Sequence, residues 1–376
     1  MSEEYSNSNN EKDIDVIEAI NRIINSSMLP AIVNYLFPES SVENFQNLLR
    51  EVESVDSFQS KVMMPIITTI VKKTMNQFSF SGIENLSNET KGIIISNHRD
   101  IILDAALLNM AMMKNGLQTC EISFGDNLIS GQFTIDIGRI NKMFRVVRGG
   151  TMHELYKNSL NLSTYLRHAI LQKKESVWIA QRSGRTKDGF DRTSVAMIKM
   201  FALCEKTPFV ENLEPLHITP MAISYEYEPC DFLKTKELYI SHYQKYEKTP
   251  NEDLESMIAG VMQPKGDVNI TITQPITRQE LEYCCTLGRN EQFNELAKII
   301  DYRILKNYKL FKTNYIAADL LNQTNQFSAF YSEEDKLNFE SYMQQGLEKI
   351  NGNQRELQDI FLKIYATPVF RIQELE

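Results

Sequence analysis

Between residues 79 and 310 the chain alternates short apolar runs with longer helical stretches, and this alternation constrains the fold more than any other feature. The apolar runs are 92–97, 121–124, 144–148, 177–181, 218–227 and 268–273. They are of strand length and rich in Ile, Val and Phe. Helical spacing occupies 101–114, 151–173, 192–205 and 291–309. Strands that alternate with helices predict an α/β core. Thr151-Met152-His153-Glu154 has the form of a capping box, so a helix is predicted to start right after the Arg148-Gly149-Gly150 turn.

The flanks read differently. Val16, Ile20, Ile23 and Ile24 keep helical spacing, as do Phe45, Leu48, Leu49 and Val52, with Pro30 and Pro38 as punctuation. From Ser332, which resembles an N-cap, two polar helices follow with no strand. The expected division is an N-terminal helical region over 1–78, an α/β domain over 79–315 and a C-terminal helical extension over 316–376.

Charge follows the same division. The 376 residues carry a net charge of −9, with −8 in residues 1–60 and −4 in residues 331–376, which leaves +3 for the middle. An acidic chain of this kind argues against wholesale nucleic-acid binding, while its mildly basic centre suits anionic ligands. The 42% hydrophobic and 24% charged content excludes wholesale disorder. Residues 1–12 are polar and acidic, unlike a signal or transit peptide. The longest apolar run, 62–71, contains Pro65 and stops at Lys72 and Lys73. It is far short of the roughly 20 residues a span needs. Two readings stay open for it: a core helix, or an interfacial helix making peripheral membrane contact. Cys120, Cys204, Cys230, Cys284 and Cys285 form no CxxC pair, which suits a reducing compartment. A cytoplasmic protein, extending to the inner membrane surface, is the expectation.

Three segments carry candidate chemistry. Ile93 to Asp104 runs a strand into Asn97-His98-Arg99-Asp100 and then a helix, placing an imidazole at the carboxyl end of a strand with two carboxylates close behind. A histidine oriented by a carboxylate can serve as general base towards a hydroxyl. The His98-Arg99-Asp100 triplet also occurs in protein kinases, but Ala105 stands where a kinase needs Asn and no Gly-rich loop precedes it. Next, 138–150 holds four bases and no acid, with Phe144, Arg145 and Arg148 at a strand that enters a glycine turn. Arginine forks at a strand end suit phosphate. Finally, a strand at 177–181 breaks into Arg182-Ser183-Gly184-Arg185-Thr186-Lys187-Asp188-Gly189, a basic loop whose glycines permit close backbone approach. Trp178 in that strand reads as core. A further apolar strand, 216–225, is interrupted by Pro220 and reads as bulged or at an edge.

In this order the segments resemble the four sequence blocks of the glycerophospholipid acyltransferase superfamily, the glycerol-3-phosphate and lysophosphatidate acyltransferases, over about residues 79–230. His98 matches the base of a His-x4-Asp block, Phe144 and Arg148 the second block, Arg185 the arginine of the third, and Pro220 the fourth. The resemblance implies a mixed sheet flanked by helices and an O-acyltransferase of phospholipid biosynthesis. Such an enzyme moves a fatty acyl group from acyl-CoA or acyl carrier protein to a hydroxyl of glycerol-3-phosphate, lysophosphatidate or a related anionic precursor. It implies no metal and no cofactor beyond the acyl donor. His98 would be the base, with Asp104 or Asp100 orienting it, and Phe144, Arg145, Arg148, Arg182, Ser183, Gly184, Arg185 and Lys187 would contact substrate, with an oxyanion held near Gly184.

Two departures stand out. Five residues rather than four separate His98 from Asp104, and Arg182 replaces the family's glutamate. The second departure keeps open an amino-acid or other polar-head lipid acceptor. The first keeps open an inactive lipid-binding member of the fold.

Overall fold

The computed structural model describes residues 16–128, 131–147, 149–249, 252–289 and 291–375. Its centre is a seven-stranded mixed sheet of order β1-β7-β6-β2-β5-β3-β4. The strands are β1 Met75–Ser81, β2 Ile93–Ser96, β3 Glu121–Gly125, β4 Met143–Val146, β5 Val177–Ala180, β6 Thr219–Tyr225 and β7 Gly266–Ile272. Among the described residues only the β6–β7 pair is antiparallel. The helices of seven residues or more are α1 Val16–Ile24, α2 Leu29–Leu36, α3 Val42–Arg50, α4 Met64–Thr74, α5 Leu103–Lys114, α6 Gln132–Ile140, α7 Met152–Arg167, α8 Val195–Phe201, α9 Asp231–Tyr243, α10 Glu252–Met262, α11 Arg278–Cys285, α12 Glu291–Lys306, α13 Lys312–Asn322, α14 Glu333–Leu347 and α15 Gln354–Gln373.

The mixed sheet flanked by helices is the predicted fold class, and all six predicted strands are present. β1 was not foreseen. Its sequence, Met75-Asn76-Gln77-Phe78-Ser79-Phe80-Ser81, is polar because it lies at the sheet edge, paired only with β7. The sheet therefore begins a few residues inside the stretch read as helical.

Strand alternation sends Ile93, Ile95, Val177 and Ile179 into one core with Leu162 and Leu166 of α7 and Ile198 of α8. Ile94, Trp178, Met221 and Ile223 enter the opposite core with Leu107 and Leu108 of α5 and Ile67 and Ile70 of α4. Each such side chain contributes about 1.5–3 kcal/mol on burial. A strand buried on both faces must be apolar throughout, which is why β2 reads as an unbroken Ile run.

The 62–71 segment is part of this core. Val62 and Ile67 are buried, and Met63, Met64, Ile66 and Val71 pack against the same clusters. The core alternative is the one observed. Among the described residues no single helix is long and apolar enough to cross a membrane. α1 and α2 pass that test only as a pair bent by 82°, and their Ile20, Ile23, Leu29 and Val33 are buried.

Pro220 is not at an edge, because β6 lies between β7 and β2. Its carbonyl accepts from Thr273 N at 2.9 Å, so the proline nitrogen faces the same side, beyond the last paired residue of β7, Ile272. No ladder bond is lost there.

The C-terminal helices close on α9 around Phe339, Phe361 and Tyr365, with Phe232 stacked on Phe361 at 5.2 Å. The predicted caps form at both Thr151 and Ser332. α15 also touches the loop after β5. Gly189 there has φ +76°, and an added Cβ would lie 2.4 Å from the Ile364 carbonyl oxygen. Only glycine fits that backbone and that approach.

Candidate active site

β2 ends at Ser96, and the next four residues are fixed by side-chain bonds. Asn97 is fully buried; its amide donates to Ile223 O (2.9 Å) and its Oδ1 accepts from Ile223 N (2.8 Å), stitching the strand end to β6. Asp100 caps α5, its Oδ1 accepting from Ile102 N (2.8 Å) and Leu103 N (2.7 Å). The helix therefore starts at Leu103, with Asp104 in its first turn facing back towards the loop.

Asp104 is the residue that meets His98. Its Oδ2 lies 2.8 Å from His98 Nδ1 and also accepts from Arg99 N (2.7 Å) and Asp100 N (3.1 Å). Its Oδ1 accepts from the Tyr225 hydroxyl at 2.8 Å. With that acceptor on Nδ1, the imidazole keeps Nε2 for a substrate proton. The extra residue between His98 and Asp104 is absorbed by the capped turn, which brings the pair within hydrogen-bonding distance despite the longer spacing.

Asp100 serves the backbone instead. Its Oδ2 is buried with no hydrogen-bond partner among the described residues, and a Cβ added at Gly260 of α10 would lie 2.1 Å from it. Burial first, then the charge of Asp104, raises its pKa above the ordinary value, against the helix N–H groups that lower it. An acid whose folded-state pKa is raised stabilises the fold less as pH climbs past its unfolded value. Asp100→Asn keeps the cap acceptor and has no such loss. The variant should match the parent at low pH and exceed it by about 1–3 kcal/mol at pH 7, read from melting temperatures across pH. A gap that shrinks as pH rises would contradict this account.

A cavity of about 830 Å³ opens beside His98. Trp178 forms part of its wall and meets the imidazole edge-on, ring centroids 5.6 Å apart, while its indole N–H donates to Ser96 Oγ at 3.0 Å. It is a core residue, as read, that also borders the site. Its lining mixes apolar side chains, Leu155 and Leu162 of α7 and Met197 and Met200 of α8, with the bases Arg145, Lys157 and Arg182 and the acid Glu154.

Of the predicted substrate contacts, Arg145, Arg182 and Ser183 line this cavity with His98. Arg145 is also 3.6 Å from Asp126. Phe144 is buried against Tyr165, centroids 4.9 Å apart, outside the lining. Gly184 is likewise outside it; its φ of +78° turns the loop. Arg185 lies on the other side of the loop, near Asp100 and Cys230. Lys187 is ion-paired with Glu237 of α9. Arg148 lies outside the described residues.

Three residues that local spacing could not reveal hold the site together. Asp191 accepts from Arg99 Nη2 (2.5 Å), Thr186 Oγ1 (2.5 Å) and the Asn97 amide (3.3 Å). Through Thr186, whose N–H donates to His98 O at 2.8 Å, the loop after β5 is fastened to the loop after β2. Glu228 accepts from Arg99 Nη1 (3.3 Å) and Lys234 Nζ (2.6 Å). Burial alone would lower the pKa of Arg99, yet Asp191 and Glu228 outweigh it and raise it well above the usual arginine range. Tyr225 is the third. The stretch at the end of β6 thus carries both a support for Asp104 and the second counter-ion of Arg99.

Residues 77–224 match the Acyltransferase family model. No curated protein matches the chain. Among solved structures, the 1-acyl-sn-glycerophosphate (LPA) acyltransferase PlsC from Thermotoga maritima is similar at 12% identity and a TM-score of 0.38, over 79% of this chain and 94% of that one. The matched segment contains His98, Asp104 and the basic loop after β5, so the resemblance to the acyltransferase family falls on the part of the chain that builds this site.

Proposed function

We propose that the protein moves a fatty acyl group from a thioester, acyl-CoA or acyl carrier protein, to a hydroxyl of an anionic lipid precursor such as glycerol-3-phosphate or lysophosphatidate. The observation that carries this reading is His98: its Nδ1 is held by a fully buried carboxylate, and its ring borders a cavity lined by both apolar side chains and bases.

On this reading His98 Nε2 takes the acceptor's hydroxyl proton as the alkoxide attacks the thioester carbonyl. Asp104 stabilises the imidazolium so formed. Collapse of the tetrahedral intermediate breaks the C–S bond, and the departing thiolate recovers the proton from His98. Apolar walls from α7 and α8 receive the acyl chain. Arg145 and Arg182 meet the acceptor's phosphate or carboxylate. Val147, Met152 and Tyr156 are exposed near the cavity's β4–α7 edge and supply apolar contacts for a peripheral approach to lipid.

Arg182 in the cavity favours a second acceptor class. It stands where the resemblance places a glutamate, and an added cation suits an acceptor with a carboxylate, as in an amino-acid lipid precursor. Free thiol released from acyl-CoA, measured with glycerol-3-phosphate, lysophosphatidate and a monoacylated amino acid, separates the acceptors. Turnover with none of these, and none with acyl carrier protein as donor, would defeat the proposal. Arg182→Ala should raise the KM of an anionic acceptor about 10- to 100-fold, the loss of one charge-assisted contact, with the KM of the donor unchanged. An unaltered acceptor KM would remove Arg182 from acceptor binding.

A further inference from the structure

The Asp104 carboxylate is fully buried and receives four donors. Two are backbone N–H groups of its own loop, one is His98, and the fourth is the Tyr225 hydroxyl, which comes from the end of β6. Asp104 must stay ionised and aimed at Nδ1 if it is to support an imidazolium, and a buried carboxylate does so only when its lone pairs are satisfied. Oδ2 already serves three donors. Oδ1 has Tyr225 as the one partner seen among the described residues. Without it, the carboxylate could rotate and exchange its oxygens.

We propose that Tyr225 is a positioning residue for acyl transfer: its hydroxyl pins Asp104 Oδ1, keeping Oδ2 on His98 Nδ1 and moderating the basicity of the His98–Asp104 pair. This rests on the reading of His98 as the general base.

The position of Tyr225 supports the role. It is fully buried, and its strand is hydrogen-bonded to β2, the strand that delivers His98, so the hydroxyl is carried by the rigid sheet rather than by a loop. Burial, then the charges of Asp104 and Asp100, push its pKa well above the usual tyrosine value, so it remains a donor throughout the working pH range. The surrounding charged and titratable groups are Asp100 and Arg99 from the same loop, Glu228 from the β6–α9 loop, Arg185 and Asp191 from the loop after β5, and Tyr308 from the α12–α13 connection. Tyr308 lies under the Arg99 guanidinium at 5.2 Å and makes no hydrogen bond to Asp104 among those observed. Tyr225 is therefore the neutral donor that a single-atom change can remove.

Tyr225→Phe deletes that oxygen and keeps the ring. The remaining carboxylate, short of one donor, becomes more basic and holds the His98 proton more tightly. The expected result is a kcat about 10- to 100-fold lower, as for the loss of one hydrogen bond to a charged group, with both KM values kept. The acid limb of the pH profile should move to higher pH. In parallel, NMR of 15N-histidine-labelled protein without substrate should show the His98 titration midpoint raised. 3-Fluorotyrosine placed at position 225, a stronger donor, should move that midpoint down; it also provides the test should Tyr225→Phe fail to fold. The NMR arm needs no turnover, so it stands even if the wild-type chain transfers no acyl group. A His98 titration unmoved by these changes overturns the proposal, whether activity is kept or lost. Activity lost over an unmoved titration would make Tyr225 a packing residue only.

Discussion

A His98→Ala enzyme is expected to lose kcat by about a thousandfold or more while still binding acyl donor. General-base catalysis by a positioned imidazole contributes about 10²–10⁴-fold, and the described cavity offers no second histidine to replace it. Fold stability should change little. The ring's recorded contacts are Asp104 and Trp178, and Asp104 keeps its two N–H donors and the Tyr225 hydroxyl. Thiol release from acyl-CoA at saturating acceptor measures kcat, and the quenching of Trp178 fluorescence by acyl-CoA follows donor binding independently. Trp178 is the only tryptophan in the chain and borders the cavity, so its signal reports on that site. Full transfer by His98→Ala would end the general-base reading.

How far the sequence could carry this reading depends on the range of each interaction. β2, β5 and β6 were legible because a strand covered on both faces must be apolar, and β3, β4 and β7 because they keep enough Ile, Val, Phe and Met at strand length. β1 was not, because a half-exposed edge strand is under no such demand. The same logic sorts the site. His98 at a strand end, and Asp104 beside it in sequence, are local features, so the choice between Asp100 and Asp104 was already posed. It needed the geometry of one turn: Asp100 spends its Oδ1 on the helix N-terminus, and Asp104 is then aimed back. Tyr225, Asp191 and Glu228 reach the same loop from more than 90 positions away. No spacing rule links them, since only the sheet order brings β6 beside β2. The basic loop after β5 was legible as charge but not as direction: Arg182 faces the cavity, whereas Lys187 is paired with α9.

Arg99→Ala should be the most destabilising single change in this region, costing about 3–5 kcal/mol. Arg99 is 1% exposed, and its guanidinium neutralises two buried carboxylates, Asp191 at 2.5 Å and Glu228 at 3.3 Å. Removing one member of a buried ionic cluster leaves the others charged and desolvated, a far larger penalty than the cluster's net contribution to stability. Glu228 retains Lys234 at 2.6 Å, so the greater strain falls on Asp191, left with Thr186 and Asn97. Against a typical total of about 5–15 kcal/mol, such a loss is visible as a lower urea midpoint with an unchanged slope. Arg99→Lys should lose less but not nothing, because one ammonium cannot reproduce a fork that reaches two carboxylates. An unchanged midpoint for Arg99→Ala would show that the cluster is solvated rather than buried. The paired variant Arg99→Met with Asp191→Leu separates stability from positioning. Replacing both charges by apolar groups can recover much of the folding energy, yet it also removes the carboxylate that ties Thr186 and Asn97 together beside His98. A chain that regains its urea midpoint but not its kcat would show that the Arg99–Asp191 pair orders the two loops of the site.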